Sequence, residues 1–100
     1  MIVTRDDNDR CLNLKLREKL EVRLPENQVS GYIWEYREGC PCLRLDDSDY
    51  AGRGPARFHG QGERSWHFAA VATGECKLNF YLVRPWSAPS QEFCIKVEVR

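Results

Sequence analysis

The chain predicts an all-β fold: an antiparallel sandwich of about seven or eight strands. Three observations lead there. Apolar residues recur with period two almost throughout its 100 residues, as they do in strands with one face buried and one in water. Clusters of Gly, Pro, Asn and Asp break that alternation at short intervals. No segment carries a sustained helical stripe, and short strands at this spacing suit a sandwich.

In chain order, Cys11-Leu12-Asn13-Leu14-Lys15-Leu16 alternates with its leucines on one face. Leu20-Glu21-Val22-Arg23-Leu24 follows, then Tyr32-Ile33-Trp34-Glu35-Tyr36, whose Trp34 reads as core. Trp66-His67-Phe68-Ala69 places Trp66 and Phe68 inward and His67 on the polar face. Cys76 to Val83 and Phe93 to Val99 complete the set. The turn signals between them are Pro25-Glu26-Asn27, Gly39-Cys40-Pro41, Gly52-Arg53-Gly54-Pro55, Gly60-Gln61-Gly62 and Thr73-Gly74. The segment Asp46 to Ala56, with three aspartates, two glycines and a proline, reads as an exposed connection with at most a short strand or turn at Asp49-Tyr50. One domain spans residues 1–100, and residues 1–10 are expected to be a loose or edge-paired start.

Fifteen basic and fifteen acidic side chains cancel, which argues against a nucleic acid or an anionic membrane as partner. No apolar run approaches the roughly 20 residues of a membrane helix. The first ten residues are too polar for a secretory signal. The chain as written is therefore expected in the cytoplasm, or in the periplasm or outside the cell if a signal has been removed. Five cysteines cannot all pair within the chain. Cys11 and Cys94 read as small apolar strand residues. Cys40-Pro41-Cys42 lacks the two-residue spacer of redox and zinc motifs. Free thiols are the expectation, with one disulfide or a metal site as alternatives.

Catalytic and cofactor chemistry finds little support. His59 and His67 show no metal-ligand spacing with Cys40 or Cys42, and read as surface or loop residues. Asp46-Asp47-Ser48-Asp49 lacks the central glycine and terminal glutamate of a calcium loop. Gly60-Gln61-Gly62 is too short for a phosphate-binding fingerprint. No enzyme activity, metal or other cofactor is expected.

The connections are more informative. Arg84-Pro85-Trp86 follows one strand and precedes the turn-rich Ser87-Ala88-Pro89-Ser90. Prolines 85 and 89 stiffen this loop, and Trp and Arg are both enriched in interface hot spots. Two further stretches break the strand pattern: Asn27-Gln28-Val29-Ser30-Gly31 and Gly60-Gln61-Gly62-Glu63. In an immunoglobulin-like sandwich alternate connections emerge at one end, so these three can cluster as the B–C, D–E and F–G loops.

On these residues the chain resembles the chagasin family, proteinaceous inhibitors of papain-like cysteine peptidases. The family's motifs are Asn-Pro-Thr-Thr-Gly in the central loop, Gly-x-Gly-Gly in the second and Arg-Pro-Trp in the third. The third is intact as Arg84-Pro85-Trp86. In the second, Gly60 and Gly62 match and Glu63 replaces the last glycine. In the first, Asn27 and Gly31 match, Ser30 stands for threonine, and Gln28 and Val29 depart. The run Glu18 to Pro25, the run Gly31 to Trp34 and the strand from Trp66 to Ala70 agree with the flanks of these loops. The similarity covers roughly Leu12 to Val99.

The resemblance implies an immunoglobulin-like sandwich, a papain-like cysteine peptidase as partner, and a monomer that inhibits reversibly. Asn27, Gln28, Val29, Ser30 and Gly31 would approach the catalytic cysteine. Gly60, Gln61, Gly62 and Glu63, with Arg84, Pro85 and Trp86, would grip the flanks. Gly31, Gly60 and Gly62 would allow positive φ or close approach, Trp86 would bury aromatic area, and Arg84 would serve either as a contact or, the favoured reading, as a strut for its loop. The departures at 28, 29 and 63 leave a second reading open: a non-inhibitory protein-interaction module on the same fold.

Overall fold

The computed structural model describes residues 1–27, 31–37, 39–52 and 61–100. Eight strands run through them: β1 (Ile2–Val3), β2 (Cys11–Leu14), β3 (Lys19–Asn27), β4 (Ile33–Arg37), β5 (Leu43–Gly52), β6 (Gln61–Ala70), β7 (Gly74–Val83) and β8 (Gln91–Val99). They form two four-stranded sheets, in the orders β1-β3-β6-β5 and β2-β8-β7-β4. The alternation read from sequence fills the space between them. Leu20, Val22 and Leu24 of β3 with Trp66, Phe68 and Ala70 of β6 line the first sheet, and Leu78, Phe80, Phe93, Ile95, Val97 and Val99 line the second. Phe80 sits at the centre, with ring centroids 4.6 Å from Trp66, 5.2 Å from Tyr36 and 5.9 Å from Phe93. Each such ring contributes about 1.5–3 kcal/mol by burial. Trp34 and Trp66 are both core residues, 5% and 4% exposed.

Three features depart from expectation. The sandwich is not wholly antiparallel, because β1 pairs parallel with β3 and β2 parallel with β8. The N-terminal segment crosses from one sheet to the other, so both of its short strands meet their neighbours in the same direction. Its start is edge-paired, and Val3 is buried. Second, Asp46 to Gly52 is no free connection, since it belongs to the ten-residue strand β5. Among the described residues β5 pairs with β6 alone, with a register shift between Leu45 and Asp47. An edge strand tolerates turn-forming, charged residues because one side of it stays in water, and such charges discourage edge-to-edge association. Third, Cys40 and Cys76 form a disulfide, while Cys11 is exposed, Cys94 half-buried and Cys42 buried as a free thiol. Cys11 and Asn13 take the outward parity of β2 because the leucines beside them claim the inward one.

His67 lies on the outer face as expected, but it is held there. Its Nδ1 meets Asp47 Oδ1 of β5 and its Nε2 meets Glu21 Oε1 of β3, each at 2.5 Å. One imidazole thus spans three strands.

Candidate functional site

Strand register puts the three implicated connections at one end. Asn27 pairs with Gln61, and Gly52 with Gly62, so β3 and β5 end level with the start of β6. In the other sheet Ile33 pairs with Val83 and Leu82 with Gln91, so β4 begins, β7 ends and β8 begins at one level. The β3–β4 connection passes from sheet to sheet, which makes these two levels the same end of the sandwich. Gln28, Val29, Ser30 and Gly60 lie outside the described residues.

The third connection is a tight turn. Ser87 N donates to Arg84 O at 3.3 Å, and Ser90 N donates to Leu82 O at 2.8 Å below it. Pro85 takes the second turn position, where its fixed φ fits. Trp86 takes the third with φ +61° and is fully exposed, at 101% of its reference area. A bulky residue in the left-handed region costs about 1–3 kcal/mol, and among the described residues its ring gains no packing in return. Arg84 braces the turn: its Nε donates to Ser87 Oγ at 3.1 Å, and its guanidinium lies 4.8 Å from the Tyr32 ring centroid. That cation–π contact joins the third connection to the exit of the central one, and supports the bracing role read from sequence. Exposed Ile33 (48%) adds apolar area beside it.

The central connection leaves through Gly31, whose φ of +80° suits a residue without a Cβ. Its entry is held by a network that the sequence reading did not anticipate. Pro25 interrupts no ladder, because its strand parity turns its ring nitrogen and carbonyl away from β6, beyond the short reach of β1. The Trp34 indole N–H donates to that carbonyl at 2.8 Å. Glu26, buried at 3% exposure, accepts from Trp34 N at 2.7 Å. It also accepts from Arg64 Nε at 2.9 and 3.1 Å and from Arg64 Nη2 at 2.9 Å. Tyr50 Oη reaches Glu26 O at 3.5 Å, and the Arg64 guanidinium lies 5.5 Å from the Tyr50 ring centroid. The signal was present as parity: Glu26 continues Leu20, Val22 and Leu24 inward, and Arg64 precedes Trp66 and Phe68 on theirs. Two opposite charges on inward parity, at strand ends that pair, predict a buried ion pair.

The second connection differs from the free loop expected. Gln61, Gly62 and Glu63 belong to β6, paired with Asn27, Glu26 and Pro25 on one side. Gly62 is required by close approach: an added Cβ would lie 2.5 Å from Tyr50 Cζ and 2.7 Å from Ala51 O. The extra strand length arises because β5 and β3 both run far enough to pair with it.

The strand ends that flank three connections thus lie at one end of a two-sheet sandwich, and the β7–β8 turn there presents a fully exposed tryptophan at positive φ. The family model of the chagasin family peptidase inhibitors I42 matches residues 13–99, and the chain belongs to that family. The family is one of protease inhibitors, and the chain is not an enzyme. It is 24% identical to chagasin of Trypanosoma cruzi over 95 residues, covering 90% of this chain and 86% of that protein. Its fold is similar to that of the cysteine protease inhibitor EhICP2 of Entamoeba histolytica, with a TM-score of 0.88, 18% identity, and coverage of 99% of this chain and 94% of that one. It is also similar to PbICP-C as solved in complex with falcipain-2, with a TM-score of 0.57, 15% identity, and coverage of 99% and 88%.

Proposed function

We propose that this chain is a reversible, tight-binding, monomeric inhibitor of papain-like cysteine peptidases, seating the β3–β4, β5–β6 and β7–β8 connections in the active-site cleft. The observation that carries this reading is Trp86, held at positive φ and fully exposed on a braced turn. Strain kept at an exposed aromatic is accounted for when a partner covers the ring. The family assignment and the PbICP-C complex with falcipain-2 support a cysteine peptidase as that partner. The inhibitor contributes shape and hydrogen bonds on a rigid frame, so little entropy is lost on association. The Cys40–Cys76 bridge supports action in an oxidising compartment, the periplasm or outside the cell, over the cytoplasm.

Titration of papain and cathepsin L with purified protein is expected to give inhibition at micromolar concentration or below. No inhibition of either enzyme at high micromolar concentration would overturn the reading and leave the non-inhibitory interaction module in its place.

A further inference from the structure

We infer that the Glu26–Arg64 pair is a positioning element for peptidase binding: it fastens the strand ends that carry the central and second connections, so that the binding edge is formed before the partner arrives. This inference rests on the inhibitor reading above.

The argument starts from what the pair does not do. A buried carboxylate and guanidinium lose their hydration, and an apolar pair of similar volume commonly serves a core as well or better. Core stability alone therefore does not account for a Glu side chain that is 0% exposed. What the pair supplies is direction. A bidentate fork has one geometry, and here its donors and acceptors come from separate strand ends. Glu26 sits one residue before Asn27, the last residue of β3. Arg64 follows Gln61, Gly62 and Glu63, the described part of the second connection's motif. The second hydrogen bond of Glu26, from Trp34 N, reaches β4 three residues after Gly31. The Tyr50 hydroxyl and ring add the end of β5. One carboxylate thus ties β3, β4 and β6 together, and through Arg64 and Tyr50 also β5. Edges fastened in this way lose less freedom when a partner binds, which favours affinity without a contact of their own.

The test replaces the pair by an apolar one, Glu26→Leu with Arg64→Met, and uses Arg64→Lys as a second variant that keeps the charge but loses the fork. Inhibition constants are measured at a temperature where every variant is fully folded by circular dichroism. Amide exchange of residues 27–32 and the Trp34 indole N–H resonance are followed in the free protein. The expected result is a melting temperature for the apolar pair close to that of the unmodified chain, together with faster exchange at residues 27–32, a shifted Trp34 indole signal and an inhibition constant raised about tenfold or more. A folded variant with unchanged exchange, and an inhibition constant within about twofold of the unmodified chain, would overturn the inference. If the apolar pair does not fold, Arg64→Lys gives the same readings. If the unmodified chain inhibits no peptidase, it is the inhibitor reading that fails, and the exchange data from the free protein still decide whether the pair fastens the edge.

Discussion

Trp86 and Gly62 show how one backbone position sets a residue's cost and its use. Trp86 occupies a left-handed turn position that glycine would fill with less strain. Trp86→Gly is therefore expected to leave thermal stability unchanged or raise it by up to about 1 kcal/mol, while raising the inhibition constant at least about tenfold. Trp86→Ala should show the same loss of affinity without the relief. Calorimetry and enzyme titration on the two variants check this, and a fall in stability for the glycine variant would show the ring packing on its own chain. Gly62 is the opposite case, a residue needed for what it lacks. Gly62→Ala drives a methyl into Tyr50 and the Ala51 carbonyl, and is expected to cost about 1–3 kcal/mol in chemical denaturation. Both residues stand out in the sequence, and close approach is one of the two uses expected there for Gly62; that Tyr50 and Ala51 make the approach, and that Trp86 sits at positive φ, is visible only in the fold.

At the scale of elements, β3, β6 and β5 are joined across their outer face by Glu21, His67 and Asp47. Burial alone would pull the His67 imidazole down. The hydrogen bonds and charges of Asp47 and Glu21 outweigh it and hold it above its ordinary 6.5. Burial likewise pushes the Glu21 carboxyl up, and Arg23 and His67 outweigh that and hold it below 4.5. A raised histidine stabilises the fold fully below its unfolded value, and the effect is lost as pH rises through the folded one. A depressed carboxylate stabilises above its unfolded value, and is lost as pH falls through the folded one. The three strands are thus best joined between about pH 4.5 and 6.5. The melting-temperature difference between the unmodified chain and His67→Gln should peak in that interval and shrink towards pH 9; a difference independent of pH would refute the cross-strand bridge. The alternation placed His67 outward from sequence alone. Its partners were not legible, because β5 was hidden by Asp, Ser and Gly residues whose local preference is for turns. Pairing with β6 overrides that preference, since what strand propensity measures is mostly the fit to a neighbour.

For the whole molecule, the disulfide and the proposed binding edge occupy opposite ends. Cys76 pairs with Val97 two positions from Gly74, where β7 begins, and the bridge to Cys40 closes a span of 36 residues. Closing a loop of that length restricts the unfolded chain by about 4 kcal/mol. Reduction, or Cys40→Ser with Cys76→Ser, is expected to lower the unfolding free energy by about that much and to leave inhibition of a peptidase within about twofold while the protein stays folded. Unfolding followed with and without a phosphine reductant, in parallel with enzyme titration, separates the two effects; a parallel loss of inhibition would mean that the two ends are coupled. Five cysteines alone leave many pairings open, and only the position of the residue 39–42 segment against β7 selects this one.

What the sequence determined by itself was what local pattern can carry. Period-two alternation specified strands and their inward faces, and with them a two-sheet sandwich. The tripeptide Arg84-Pro85-Trp86 marked a stiff connection carrying an exposed aromatic, the edge proposed here for partner binding. What only the tertiary structure decided was which strands are neighbours: the parallel seats of β1 and β2, the conversion of an aspartate-rich stretch into β5, the cysteine pair, and the meeting of Glu26 with Arg64. Each depends on residues far apart in the chain, 38 positions in the last case. Side-chain parity states which way a residue faces, and only the packed sheets state what it faces.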